Sequence, residues 1–257
     1  MDNWTPIVHF SFMLLAIDIG NTAMKFGVFD GDKLTRKFIV PTDAEDVLAD
    51  TSRAINDNVN GKPDGVIISS VVPEFDGLIY ELLLRSGVAA RPVTNKDDFG
   101  LRFNFSVDGF GTDRLVNSFA AAELYGTPCV VISFGTATTI DVINKDREYL
   151  GGLIAPGPRT SAKALNLTTS KLPEVEVVEP TGVITSHTIA AIQAGVFYSQ
   201  IGLVDAVIPH IKGELGDDAK VIATGGFAPM FAEKCRAIDI VESDLTLYGL
   251  KMLYSRA

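Results

Sequence analysis

LLAIDIGNTAMKFGVFDGD, residues 14–32, is an apolar strand that ends in an aspartate, turns through Gly20-Asn21-Thr22 and returns as a second apolar strand. A strand that only filled a core would gain nothing from a carboxylate at Asp18. At a glycine corner, backbone N–H groups can approach a phosphate chain closely, because no Cβ stands in the way. Asn21 and Thr22 add side-chain donors, and Lys25 adds a positive charge. Asp18 can then hold Mg2+, directly or through water, against the phosphate oxygens. Alone, the stretch reads more readily as a tight hairpin whose aspartate accepts turn hydrogen bonds.

A second stretch bears on that choice. VVISFGTATTIDVINKD, residues 130–146, repeats the pattern of strand, polar residue, one apolar residue, glycine, short polar turn and strand, with Gly135 standing 115 positions after Gly20. Thr136 and Thr138 supply the side-chain donors there. The match reads as an internal duplication with one hairpin per half and both glycine turns on one cleft.

Working outward, LTRKFIV is a third strand and residues 43–59 are compatible with a helix. GVIISSVV, 65–72, is a continuous apolar strand buried on both faces. Pro73 opens a helix, RPVT is a short strand, and residues 95–112 form a long Gly- and Phe-containing loop. Beyond the second hairpin, EYLGGLIAPG is a strand and 163–167 is helical. Residues 187–212 form a long apolar helix, and KVIATGG is a strand leading into another helix. DLTLYGLKMLY is a last helix capped by Asp244.

Two further pieces carry chemistry. In GFGTDR, 109–114, Thr112 as N-cap places Asp113 and Arg114 in the first turn of a helix. The helix dipole favours an ionised Asp113, which can orient a substrate hydroxyl, since a loose phosphoryl-transfer transition state needs little early deprotonation. Arg114 can grip a carboxylate with two hydrogen bonds. A well-capped helix with an exposed Asp-Arg pair is the plain alternative. In ATGGF, 223–227, Gly225 and Gly226 suit close approach of a flat ring such as adenine, or simply a strand-to-helix turn. A P-loop and a dinucleotide fingerprint are both absent.

The bulk properties narrow the classes. The 257 residues are 47% hydrophobic with a net charge of −10 and no Lys/Arg-rich run, which argues against nucleic acid or an anionic membrane as partner. No apolar run approaches the length of a membrane span. Two distant cysteines fit a reducing cytoplasm rather than a disulfide framework or zinc site. His9, His187 and His210 lack metal-ligand spacing. MDNWTPIVHFSF, 1–12, lacks a basic segment and a cleavage site and reads as an extension before Met13 rather than a signal peptide.

Taken together, DIGNT-x-x-K (18–25), SSVVP (69–73), GxDR (111–114), FGTATT-x-D (134–141), GG-x-I-x-PG (151–157), TGG (224–226) and DLTL-x-GL (244–250) resemble, in order, the motifs of the type III pantothenate kinases. That family belongs to the acetate-kinase/sugar-kinase/actin superfamily. The resemblance implies an α/β fold of two duplicated ribonuclease-H-like (actin-like ATPase) domains with mixed sheets flanked by helices, nucleotide in the interdomain cleft. The halves fall at 13–115 and 116–257. It implies a homodimer that phosphorylates pantothenate with ATP, using Mg2+ and a monovalent cation, K+ or NH4+. By position, Asp18, Ile19, Gly20, Asn21, Thr22 and Lys25 form the first phosphate loop, Gly135 and Thr136 the second, and Gly225 and Gly226 join the nucleotide site. Gly111, Thr112, Asp113 and Arg114 contact pantothenate with Asp113 as proton acceptor, and Thr188 also touches substrate. Asp18 holds the divalent ion.

Two departures stand out. Where the family carries an aspartate that helps hold the monovalent cation, this chain has Ser133. A hydroxyl is still an oxygen ligand, but the site loses one negative charge. The family's substrate-contacting tyrosine before GxDR is also missing; Phe103 and Phe105 stand in that region. Ser133 leaves a second reading open, a catalytically weakened paralogue that binds a nucleotide or partner without turnover. A sugar or short-chain acid as acceptor is a third.

Overall fold

A computed structural model describes residues 12–216 and 218–256. His9 and residues 1–11 of the expected extension lie outside the described residues. The described residues divide into two compact units, 12–94 with 250–256, and 95–216 with 218–249. The sequence places the division between its two halves at residues 115 and 116.

The first unit is built on a five-stranded sheet. Strands β1 (Met13–Ile19), β2 (Ala23–Asp30) and β3 (Lys33–Pro41) form an antiparallel meander, and β4 (Gly65–Ser70) and β5 (Ala90–Pro92) add in parallel beside β1. The order is β3-β2-β1-β4-β5. Helices α1 (Val47–Asn58) and α2 (Pro73–Arg85) connect the strands. Asp46 caps α1 by accepting the Ala49 N–H at 3.0 Å, and Pro73 opens α2 as expected. Side chains alternate across a strand, so Leu15, Ile17 and Ile19 enter a core with Phe26, Val66, Ile68, Ile79 and Leu83, while Asp18 points to the opposite face.

In the second unit, β6 (Cys129–Phe134), β7 (Ala137–Ile143) and β8 (Tyr149–Pro156) form the meander, and β9 (Lys220–Thr224) and β10 (Ile240–Val241) pair in parallel beside β6. Its order, β10-β9-β6-β7-β8, repeats that of the first sheet strand for strand. Each parallel and antiparallel pairing recurs as well, which is the duplication read from the two hairpins. β10 has two residues and gave no sequence signal.

Helices α3 (Thr112–Tyr125), α4 (Pro158–Thr168), α5 (Thr188–Leu215) and α6 (Ala228–Ala232) belong to this unit, and α7 (Leu245–Ser255) starts in it. Val130, Ile132, Phe134, Ile140 and Val142 pack with Phe197, Ile201, Val204 and Ile208 of α5. α5 corrects one expectation, since it is long and apolar enough to cross a membrane by length and composition. Gln193, Gln200, Asp205 and His210 interrupt the apolar run in the sequence. In this unit its apolar side chains cover the sheet. His187 occupies its N-cap position, as a helix-start residue.

Candidate active site

In the first unit, Asp18 ends β1 and is 7% exposed. Register places it beside Lys25 on β2 and Ser69 on β4, so the motifs DIGNT-x-x-K and SSVVP meet on one face of the sheet. The turn closes through Gly20 N–H donating to the Ala23 carbonyl at 3.1 Å. Asn21 and Thr22 are exposed at the corner, and their carbonyls accept from Thr42. Ile19 is buried in the core, so only its backbone faces the turn.

The second corner has the same construction one residue shorter, with Gly135 N–H donating to the Ala137 carbonyl at 3.0 Å. Here two other glycines press against the turn. A Cβ on Gly157 would stand 2.2 Å from the Gly135 carbonyl oxygen, and one on Gly225 would stand 2.5 Å from the Phe134 carbonyl oxygen. Gly225 also has φ +91°, which favours glycine. Thus FGTATT, the PG of 156–157 and TGG are a single backbone junction. Gly225 is buried there, and Gly226 and Thr136 are exposed. Thr138 departs from its expected role. The residue is buried and its hydroxyl donates to Gln200 Oε1 at 2.6 Å, because alternation turns it into the α5 face of the sheet. Gln200 in turn donates to the Pro156 carbonyl at 3.2 Å and ties the corner to the Gly157 turn.

Ser133 occupies in the second sheet the place of Asp18 in the first. It is half-buried and in register with Thr139 and Thr224, on the face away from α5. Among the described residues no group of three or more His, Cys, Asp or Glu side chains could hold a metal ion. Of the expected metal ligands, Asp18 offers a carboxylate in the first unit and Ser133 a single hydroxyl in the second. One carboxylate suits Mg2+, which keeps most of its water and takes phosphate oxygens as ligands.

α3 corrects the expected cap. Gly111, with extended backbone (φ −62°, ψ 127°), is the N-cap, and Thr112 is already helical. Asp113 and Arg114 still fall in the first turn, and Asp113 is half-buried. The guanidinium of Arg114 meets an aspartate to which the sequence reading gave no role. Arg114 Nε and Nη2 both donate to Asp141 Oδ1, at 3.0 and 2.5 Å, and the Tyr149 hydroxyl donates to the same oxygen. Thr139 Oγ1 donates to Asp141 Oδ2 at 3.3 Å. The Asp141 and Arg114 side chains are 2% and 12% exposed. Burial pushes the Asp141 carboxyl up, against the pull of these donors, and burial together with the neighbouring Asp141 charge pushes the Tyr149 phenol up. Burial opposes the charge on Arg114, but bonding to Asp141 outweighs it and keeps the guanidinium cationic. Alternation puts Thr139 and Asp141 on one strand face, but no local pattern in the sequence shows that α3 covers it.

Phe103, Phe105 and Phe110 surround Tyr149, with ring centroids 5.7, 6.1 and 5.9 Å away. The long loop is held down by Asn95 Nδ2 donating to the Val107 and Phe110 carbonyls, and by Arg102 pairing with Arg147 and Tyr149. The tyrosine among these rings comes from β8 rather than from the loop, and it is fully buried with its hydroxyl committed to Asp141. Thr188 is exposed at the first turn of α5.

Duplicated five-stranded sheets with a glycine-cornered hairpin in each define an actin-like α/β fold. At 14% identity, component A of (R)-2-hydroxyglutaryl-CoA dehydratase from Acidaminococcus fermentans shares the fold, with a TM-score of 0.52 over 95% of this chain and 97% of that one. A conserved Baf family protein from Campylobacter jejuni shares it at 20% identity, with a TM-score of 0.58 over 94% and 98%.

The particular family follows from sequence. Residues 14–210 match the family model of type III pantothenate kinase. The type III pantothenate kinase of Geobacter sulfurreducens is 39% identical over 253 residues, 95% of this chain and 99% of that protein. That of Dehalococcoides mccartyi strain BAV1 is 38% identical over 250 residues, 94% and 95% respectively. The chain belongs to the type III pantothenate kinase family.

Proposed function

We propose that this protein transfers the γ-phosphoryl group of ATP to the primary hydroxyl of pantothenate, giving 4'-phosphopantothenate and ADP, the first step toward coenzyme A. The observation that carries the reading is the pairing of Asp113 and Arg114 at the opening of α3, in a chain 39% identical to a type III pantothenate kinase.

The roles follow from chemistry. Backbone N–H groups at Gly20–Thr22 and Gly135–Thr136 hold phosphate oxygens, and Lys25 adds positive charge. The backbone of Gly225 and Gly226 lies against adenine. Asp18 holds Mg2+, which neutralises charge on the phosphates when bound. Arg114 binds the pantothenate carboxylate, and Gly111, Thr112 and Thr188 line the acceptor. Asp113 accepts the hydroxyl proton as the acceptor oxygen bonds to the γ-phosphorus and the bond to the β-γ bridging oxygen breaks. A positioned base of this kind contributes about 10²–10⁴-fold.

Ser133 supports weak dependence on K+ or NH4+. Losing one carboxylate weakens cation affinity by about 1–2 kcal/mol, the scale of a charge-assisted contact. The same residue is what favours the second reading, a weakened paralogue. A homodimer is supported by the exposed apolar residues Leu150, Leu153 and Ile154 on the edge strand β8, with Leu165 and Leu167 on α4. Purified protein with ATP and Mg2+ tests the reading: pantothenate-dependent ADP release supports it, and nucleotide binding without turnover supports the paralogue. A panel of sugars and short-chain acids tests the third reading.

A further inference from the structure

We infer that Asp141, braced by Tyr149, is a positioning residue that sets the guanidinium of Arg114 for the acceptor's carboxylate. The inference rests on the pantothenate-kinase reading and assigns a part to two residues outside its substrate contacts. A guanidinium carries five N–H donors, and Asp141 takes one on Nε and one on Nη2. Three remain, two of them forming the Nη1–Nη2 edge, with no hydrogen-bond partner among the described residues. That edge presents two parallel N–H groups, the geometry a carboxylate accepts with both oxygens. Phe110 fixes the plane, with its ring centroid 5.1 Å from Cζ. Arg114 is thus held on one edge and one face, leaving a single edge for a ligand.

Asp141 is itself fixed. Oδ1 accepts from Arg114 and Tyr149, and Oδ2 accepts from Thr139. Tyr149 is fully buried, so its hydroxyl has no solvent alternative. Removing the charge of Asp141 frees a long side chain to sample other rotamers. The acceptor then has to restore the geometry from its own binding energy. The loss should appear in KM for pantothenate, because the carboxylate is bound alike before and during phosphoryl transfer.

The test is steady-state kinetics with pantothenate and with its primary amide, for wild type, Asp141→Asn, Tyr149→Phe and Arg114→Lys. We expect Asp141→Asn to raise KM for pantothenate by about 10–100-fold, the equivalent of one charge-assisted hydrogen bond. KM for ATP should stay within about twofold and kcat within about threefold, as for uniform binding. The preference for acid over amide should collapse. Tyr149→Phe should move the same ratio in the same direction by about two- to fivefold, the scale of one neutral hydrogen bond. An unchanged acid-to-amide ratio in Asp141→Asn, with the ratio lost in Arg114→Lys, overturns the positioning role alone. An unchanged ratio in Arg114→Lys overturns the carboxylate reading beneath it. Should Asp141→Asn not fold, Tyr149→Phe decides, and a wild-type ratio there overturns the inference.

Discussion

Ser133 and Asp18 are the same position in two copies of one hairpin, and they carry different charge. The Asp18 carboxylate can hold a divalent ion, whereas the Ser133 hydroxyl offers a neutral oxygen. Turnover should therefore be nearly the same in K+ and in a bulky-cation buffer, and Ser133→Asp should introduce activation by K+. Strong K+ activation of the wild type would contradict this assignment. Asp113→Asn should lower kcat by about 10²–10⁴-fold with little change in KM for ATP, as expected for loss of a general base. A loss below about tenfold would remove Asp113 from that role.

At the scale of elements, glycine content follows from backbone contact. Gly157→Ala would drive a methyl into the Gly135 and Thr136 carbonyls. The corner must then shift, at a cost of about 1–3 kcal/mol as for other overpacked sites. A thermal melt should register the lower stability, and Kd for ATP should rise with it; an unchanged Kd would separate the corner from nucleotide binding. Much of this was legible in the sequence. The hairpins announce themselves because apolar residues alternate up to a polar residue and a glycine. α2 was legible from Pro73. The cap of α3 was misread by one residue because Thr112 has the side chain of a cap while Gly111 has its backbone angles. Thr138 and Asp141 were misjudged or passed over for one reason: period-two alternation fixes which face each occupies, but only the sheet order shows that α5 covers one face and α3 the other. The junction of Gly157 and Gly225 with the second corner joins segments far apart in sequence, and no local pattern reports it.

For the whole molecule, duplication is the economical description. A meander of three strands followed by two parallel strands occurs twice, and each copy ends its first strand beside a glycine corner. The second copy holds both cysteines. Cys129 and Cys235 are free and buried, and desolvation pushes each thiol up to about 12. Both thiols stay protonated from pH 7 to 9, since thiolate forms only as pH approaches the raised value. Iodoacetamide at pH 8 should leave the native protein unmodified and alkylate both cysteines after denaturation; rapid native labelling would contradict this packing. The exposed apolar strand β8 predicts a mass of two chains in solution, and Leu153→Asp with Ile154→Asp should yield monomers.

A coupled assay of ADP release with ATP and Mg2+, with and without pantothenate, alongside detection of 4'-phosphopantothenate, tests the phosphoryl transfer most directly. A pantothenate kinase should give one ADP per phosphopantothenate, no release without the acceptor, and loss of both products in Asp113→Asn. ADP release that ignores pantothenate, or an Asp113→Asn variant as fast as wild type, would contradict it.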